Sequence, residues 1–196
     1  NSLFRDRVVP WRIAMAIRTL ALFEERVLPA YIARQRWFAG RDAALARARI
    51  TDHAVLEHEG REWLLSLLEA RSADDAVRWF APFALAWEDG EDERLRALQP
   101  AAVAKVRVGP RVGVMADAQA DPAFCAAVLH AMAARRELRG ARCTLRFSPS
   151  AAFADMARRL PAMPSQLRVL PQARSSTLVI EECLFMKLLR QVGPGI

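Results

Sequence analysis

The first forty residues carry a helical pattern of apolar side chains. Between Leu20 and Tyr31 the apolar residues recur every three or four positions, which predicts a helix over residues 11–38. Pro29 is expected to kink this helix or to begin a second one, because proline lacks an amide donor and fits best in a first turn. Gly40 is expected to close the segment.

The pattern then changes to that of strands. Residues 46–71 contain two extended runs on either side of the sequence HEG at 58–60, which predicts a β-hairpin. A third strand is predicted over 77–87, and a second hairpin over 101–117, where a Gly-Pro pair interrupts the extended pattern. A boundary near 88–100 would divide the chain into two small lobes.

The C-terminal half mixes helices with short strands. Asp121 and Pro122 predict the start of a helix that ends just before Gly140, since aspartate is a good N-cap and proline a good first-turn residue. A strand over 141–148 and a helix capped by Ser148 are expected next. Three short strands are predicted to end the chain, over 167–171, 176–182 and 183–190. Without a regular βαβ alternation, this order of elements predicts an α+β fold.

The composition is that of an ordinary globular protein. The 196 residues suffice to bury a core, and 53% are hydrophobic and 26% charged. No apolar run approaches the roughly 20 residues that cross a bilayer, and no signal-peptide pattern opens the chain. We therefore expect a cytoplasmic protein with no membrane partner. Three cysteines without C-x-x-C spacing and three scattered histidines predict neither a disulfide framework nor a metal site.

The net charge of +7 raises the question of a nucleic-acid partner. All but two of the 29 basic residues are arginines, but they are spread along the chain and mixed with acids. No basic block exceeds two residues, and aromatic residues do not alternate with basic ones as they do where bases stack. No nucleic-acid partner is expected, although a continuous groove lined by arginines would favour one.

Lys187 stands in an apolar run, and its strand predicts which side chains share its face. Alternation places Cys183, Phe185, Lys187 and Leu189 on one face and Leu184, Met186, Leu188 and Arg190 on the other. The ammonium of Lys187 either has an anionic partner or lies at a sheet edge with its tip in water. A strand, a hydroxyl-bearing turn at residues 174–177, a second strand and a lysine-bearing strand follow each other as in a kinase small lobe. Because that turn has no glycine, the spacing alone leaves both alternatives open.

Two segments resemble bacterial maltokinases. LPAYIARQRWFAGR, at residues 28–41, resembles the opening of these enzymes, where a helix runs into an arginine-tryptophan-phenylalanine-glycine motif. QARSSTLVIEECLFMKLLRQVGPGI, at residues 172–196, resembles the stretch where a serine/threonine-rich turn leads to a strand ending in a lysine. The two segments lie in the family's order, so the resemblance covers about residues 18–196.

This resemblance implies a function and a domain plan. The family phosphorylates maltose to maltose 1-phosphate with ATP and Mg²⁺, on a route to glycogen-like glucan, and many members are fused to a trehalose synthase. Residues 1–17 would be a linker from such an upstream domain. Residues 18–88 would form a cap in which an antiparallel sheet packs on the long helix, and residues 89–196 a truncated small lobe that binds ATP.

The resemblance also assigns roles to residues. Lys187 would contact the ATP phosphates, while Ser175, Ser176 and Thr177 would form the turn that covers them. Ser176 and Leu178 depart from the asparagine and serine that the family often has there. The cap motif is expected to be structural, with Trp37 and Phe38 as an apolar anchor and Arg36 as a brace, and it is formed by Arg36, Trp37, Phe38 and Gly40.

No H-x-D catalytic loop or D-F-G segment is found in this chain, so no catalytic or metal-binding residue is assigned to it. The chain alone is expected to be inactive and to bind no cofactor, and its partners would be the catalytic lobe of the parent protein and maltose. The alternative is a stand-alone protein-interaction module. An exposed surface formed by Trp63, Trp79 and Trp87 would favour this alternative.

Overall fold

The computed structural model describes residues 11, 17–35, 38, 47–71, 76–157, 167–171, 175–180 and 184–193. Its N-terminal helical run consists of α1 (Ile17–Leu22), a π-helical turn (Phe23–Val27) and α2 (Leu28–Ala33). Pro29 lies in the first turn of α2, as the sequence predicts for a second helix. Since proline has no amide donor, the regular pattern of helical hydrogen bonds is interrupted at the junction with the π-helical turn.

A six-stranded antiparallel sheet forms the centre of the fold. Its strands are β1 (Arg47–His58), β2 (Arg61–Arg71), β3 (Ala76–Trp87), β4 (Ala102–Val108), β5 (Arg111–Asp117) and the short β11 (Gln191–Val192). The first five follow the order β1-β2-β3-β5-β4, and β11 also pairs with β3. Both predicted hairpins are confirmed by the pairing of β1 with β2 and of β4 with β5.

The turn between β1 and β2 has the backbone shape that its sequence predicts. Glu59 and Gly60 both have positive φ, at 48° and 74°. Two such residues form the tight type of turn whose twist matches that of the flanking strands. The strand pairing starts directly beside it, with His58 opposite Arg61.

Both faces of this sheet are covered. One face packs against the π-helical turn and α2 through a cluster that includes Leu28, Ile32 and Trp79. The other face packs against α4 (Pro122–Ala133) through Trp63 and Phe124, among others. Long stretches of β2 and β3 are therefore buried without alternation, which explains why their sequences are nearly continuously apolar.

The other elements pack beside α4 on the large sheet or against α4 itself. The elements there are β6 (Glu137–Arg139), β7 (Thr144–Arg146), α5 (Ala151–Ala157), β8 (Leu167–Pro171), β9 (Ser175–Ile180) and β10 (Leu184–Leu189). Strands β8, β9 and β10 form a three-stranded antiparallel sheet. Cys125 and Leu129 of α4 join Phe153 and Ile180 in a third apolar cluster. One helix therefore contributes to the cores of both sheets.

The described elements confirm an α+β fold dominated by antiparallel sheet. The sheet continues across the boundary expected at residues 88 and 89, because β3 pairs with β5 on the far side of it. A short helix, α3 (Asp92–Leu98), lies in that connection. Among the residues described, no helix is both long enough and apolar enough to span a membrane.

Two of the predicted boundaries are wrong. The helix that begins at Pro122 ends at Ala133, well before Gly140. A Cβ at Gly140 would lie 2.8 Å from a carboxylate oxygen of Asp52, so a close approach explains this glycine and a helix end does not. The cap of α5 is Ser150 and not Ser148, because the hydroxyl of Ser150 accepts a hydrogen bond from the amide of Phe153 at 3.2 Å.

Candidate functional site

Lys187 lies in β10, on the face that the sequence predicts. Along this strand the side chains alternate between half-buried and exposed, and Lys187 is exposed. On the same face, Phe185 is 67% exposed and Leu189 is 48% exposed. An ammonium therefore stands between two apolar side chains that are open to solvent.

Thr177 is the strand partner of Lys187. The two residues lie directly opposite each other in the pairing of β9 with β10. Opposite residues of an antiparallel pair point to the same face, so the half-buried Thr177 side chain belongs to the face of Lys187. The structure thus places Thr177, one of the residues that the sequence assigned to nucleotide phosphates, beside Lys187.

The predicted turn at residues 174–177 is wrong in its bounds. Ser175, Ser176 and Thr177 lie in strand β9, where Ser176 pairs with Pro171 on one side and Leu188 on the other. A backbone that pairs with strands on both sides has few free amide donors for a phosphate. Residues 172–174, which connect β8 to β9, lie outside the described residues.

A buried arginine, Arg190, directly follows β10. Only 1% of Arg190 is accessible, and its guanidinium donates to the carboxylate of Asp117 at 2.6 Å and to the side-chain oxygen of Gln119. The same carboxylate oxygen accepts a hydrogen bond from the hydroxyl of Tyr31 at 2.7 Å. We call these four residues, Arg190, Asp117, Gln119 and Tyr31, the Arg190 cluster.

Within the Arg190 cluster, Asp117 is held by hydrogen bonds from Tyr31 and Gln119. Asp117 also accepts the amide of Gln119 at 3.1 Å, so both of its carboxylate oxygens are engaged. Burial, together with the adjacent Asp117 carboxylate, raises the pKa of Tyr31 well above its ordinary value. Tyr31 therefore remains a hydrogen-bond donor at any pH at which the protein is ordinarily studied.

Backbone pairing joins β10 to the large sheet at the same point. The amide of Phe80 in β3 donates to the carbonyl of Arg190 at 2.6 Å, and β11 then pairs with Trp79 and Arg78. Pro82, which has no amide donor, lies on β3 between this pairing and the start of the pairing with β5. The strand that carries Lys187 is thus attached to the sheet by a side chain and by backbone.

One residue of the arginine-tryptophan-phenylalanine-glycine motif, Phe38, is described, and it packs against the core. Phe38 packs edge-on against Trp79, with 6.3 Å between the ring centroids. Arg36, Trp37 and Gly40 lie outside the described residues. The three tryptophans whose exposure would favour an interaction module are all buried, namely Trp63, Trp79 and Trp87.

Several of the described arginines pair with carboxylates at 2.6–2.9 Å, including Arg94 with Asp121 and Arg111 with Asp89. Arg111 also lies 4.5 Å from the centre of the Trp87 ring. Charges that are already paired have less to offer a phosphate backbone. In the described part of the chain, no group of three or more His, Cys, Asp or Glu residues could hold a metal ion.

Comparison with known proteins bears on the large sheet. Residues 31–121 match the family described as the maltokinase N-terminal cap domain. We call residues 31–121 the cap domain after this match. The matched segment begins at Tyr31 and contains all of β1–β5, so the resemblance found in the sequence is confirmed over this part. No curated protein matches the chain.

The cap domain therefore supplies three of the four members of the Arg190 cluster, and Arg190 comes from outside it. Sequence reasoning missed this cluster as a unit. The one signal was the position of Arg190 on the apolar face of its strand, which requires a partner for a buried charge. Asp117 is 73 residues away, so the pattern of the chain could not identify it.

Proposed function

We propose that this chain forms the cap domain and the start of the ATP-binding lobe of a maltokinase. In that enzyme ATP would phosphorylate maltose to maltose 1-phosphate. The single observation that carries the proposal is the exposed Lys187, opposite Thr177, on a strand joined to a maltokinase cap domain. An ammonium and a hydroxyl on one face suit a phosphate group.

The neighbours of Lys187 suit the rest of a nucleotide. Phe185 and Leu189 are exposed on either side of the lysine. Their apolar surfaces can cover the flat base or the ribose of a nucleotide whose phosphates reach Lys187. Ser175 and Ser176 were expected to contribute as well, but their backbone amides lie in a paired strand, so the proposal rests on Lys187 and Thr177.

The remaining chemistry is assigned to another part of the parent protein. Phosphoryl transfer needs a carboxylate that orients the sugar hydroxyl and ligands for Mg²⁺. We assign both to the large lobe that the family resemblance implies, together with the maltose site. A fused trehalose synthase and a cytoplasmic location belong to the same proposal, and they rest on the resemblance alone.

The test uses the two lysines of the chain as a matched pair. Lys187→Met in the full-length protein should lower maltose-dependent ATP consumption by about 100-fold, because a charged contact to the transferring phosphates is lost. Lys105→Met, which changes an exposed lysine on β4, should leave the rate unchanged. Residues 1–196 alone should consume no ATP. Equal rates for the Lys187 and Lys105 variants would remove Lys187 from the phosphate site.

A protein-interaction surface is the second candidate function. Three of the four exposed large apolar side chains among the described residues lie near the C-terminal end, namely Phe185, Leu189 and Val192. Exposed apolar side chains that form a continuous patch are typical of a surface that binds another protein. This function is favoured if Phe185→Ser changes the binding of a partner protein while the rate of ATP consumption stays that of the wild type.

A further inference from the structure

We infer that Arg190 is a positioning residue, through which the cap domain fixes the place of Lys187. This inference rests on the proposed function of Lys187 and adds to it how that lysine is held. The two residues are three positions apart in an extended chain, so their Cα atoms lie roughly 10 Å apart. A shift of one is transmitted to the other by a short and stiff piece of backbone.

The position of β10 explains why such support is needed. In the three-stranded sheet β10 is an edge strand that pairs with β9 alone. Edge strands exchange and shift more readily than strands that are paired on both sides. Directly after Leu189 the chain leaves this sheet and joins the large one, through the Arg190 carbonyl and β11. The end of the lysine-bearing strand is therefore set by the cap domain.

Burial and hydrogen bonds hold the Arg190 side chain in place. The guanidinium is buried and its acceptors are the Asp117 carboxylate and the Gln119 side-chain oxygen. A third contact, at 3.4 Å, reaches the carbonyl of Phe80. Moving Arg190 away would leave a buried carboxylate without its cation, which is strongly unfavourable.

The acceptors come from separate parts of the cap domain. Asp117 ends β5, Phe80 lies in β3, and Tyr31 in α2 donates to the same Asp117 oxygen as Arg190. The place of Arg190 thus depends on how α2 packs on the sheet. The cap domain thereby acts on the phosphate site without contacting a ligand.

The first experiment measures the strand directly in the 196-residue chain. Arg190→Met should speed amide hydrogen exchange of residues 184–189 by about tenfold or more relative to the wild type. The matched control is Arg94→Met, since Arg94 also pairs with a buried aspartate, Asp121, but lies wholly within the cap domain. Arg190→Lys keeps the charge and should increase the exchange rate of these amides less. It replaces Arg190→Met in the comparison if the methionine variant does not fold. The inference is overturned if Arg94→Met accelerates these amides as much as the Arg190 variants do.

The second experiment asks whether Arg190 acts through Lys187. In the full-length protein, Arg190→Met should weaken ATP binding by about tenfold and leave the KM for maltose unchanged. In a Lys187→Met background the same change should have no further effect on ATP binding, because the positioned group is gone. Additive losses would overturn the inference, since Arg190 would then act independently of Lys187.

The outcomes separate this inference from the proposed function. If Lys187→Met leaves ATP binding intact, the proposed function fails, and with it the role of Arg190 at a phosphate site. If Lys187→Met weakens ATP binding but Arg190→Met does not, the proposed function stands and the positioning role is overturned. Faster exchange in β10 together with a non-additive loss of ATP affinity supports the inference.

Discussion

At the scale of single residues, Asp52 holds a loop by its carboxylate. The two oxygens accept hydrogen bonds from the amides of Ala141, Arg142 and Cys143 at 2.7–3.2 Å. Burial alone would raise the pKa of Asp52, but the hydrogen bonds from the Cys143 thiol and from the backbone outweigh it and lower the pKa to about 2. The ionised form is therefore part of the folded structure.

This pKa predicts a pH-dependent loss of stability. Because the pKa of Asp52 is lower in the folded chain than its ordinary value of 3.8, the stabilisation is complete above that value and is lost as the pH falls towards 2. It amounts to about 2 kcal/mol of unfolding free energy. Asp52→Asn should lack this contribution at every pH. Urea unfolding of both proteins between pH 6 and pH 2.5 measures the difference.

Asp89→Asn is the control for the same experiment. Asp89 pairs with Arg111, and its pKa is also lowered, but both side chains are about half exposed. A pair that is open to water contributes little to folding. A stability difference between wild type and Asp52→Asn that does not narrow at low pH would contradict the role given to the carboxylate.

The sequence predicted the faces of Lys187 and Arg190 but not the residues that they contact. The alternation of the strand predicted that Lys187 and Arg190 point to opposite faces, and the structure confirms it. The pattern of one strand carries this information because successive side chains alternate. The partners Thr177 and Asp117 depend on the pairing of strands and on the packing of the cap domain, which no local pattern contains.

At the scale of elements, the start of α4 shows how one cap can serve several groups. One oxygen of Asp121 accepts the amide of Ala123, as an N-cap does. The other accepts the indole of Trp63 at 2.9 Å and the guanidinium of Arg94 at 2.8 Å. The helix is thus bound to β2 and α3 through its N-cap residue.

Asp121→Ala should therefore cost much more than the loss of an ordinary cap. The buried Trp63 donor and the Arg94 charge would both lose an acceptor, so we expect a loss of about 3 kcal/mol or more in unfolding free energy. Ser150→Ala, at the exposed cap of α5, should cost about 1 kcal/mol. Urea unfolding of the two variants compares them, and equal losses would show that the extra contacts of Asp121 contribute nothing.

Elements that are marked by local signals were predictable, and those fixed by distant contacts were not. The hairpin at Glu59-Gly60 and the cap at Asp121 follow from the preferences of these residues. Gly140 failed as a helix end because its small size is required by Asp52, on the first strand of the sheet. The strand that replaces the predicted helix end, β6, exists by pairing with β7.

At the scale of the whole molecule, α4 joins two sheets into one cooperative unit. Its residues contribute to the core beneath the cap-domain sheet and, through Cys125 and Leu129, to the core beneath β8–β10. Such a helix has no polar face, since it is buried nearly all round. Both sheets should unfold together.

Leu129→Ala tests this coupling. Truncating a buried leucine should cost about 2–5 kcal/mol and lower the urea midpoint of the whole chain in one transition. Tryptophan fluorescence, which reports the large sheet, and far-UV circular dichroism should give the same midpoint. Leu22→Ala, at a side chain that is 52% exposed, should leave the midpoints measured by fluorescence and by circular dichroism unchanged. An early transition seen by circular dichroism alone would show that the β8–β10 sheet unfolds separately.

By itself the sequence determined the α+β class, the hairpins, the face of Lys187 and the resemblance to maltokinases, because each rests on a pattern of neighbouring residues. The tertiary structure alone decided that the sheet runs across residues 88 and 89, that Ser175 and Ser176 belong to a strand, and that Arg190 is bound by the cap domain. These features depend on contacts between residues far apart in the chain. Burial makes such contacts strong, but no local sequence pattern identifies the distant partner of each residue.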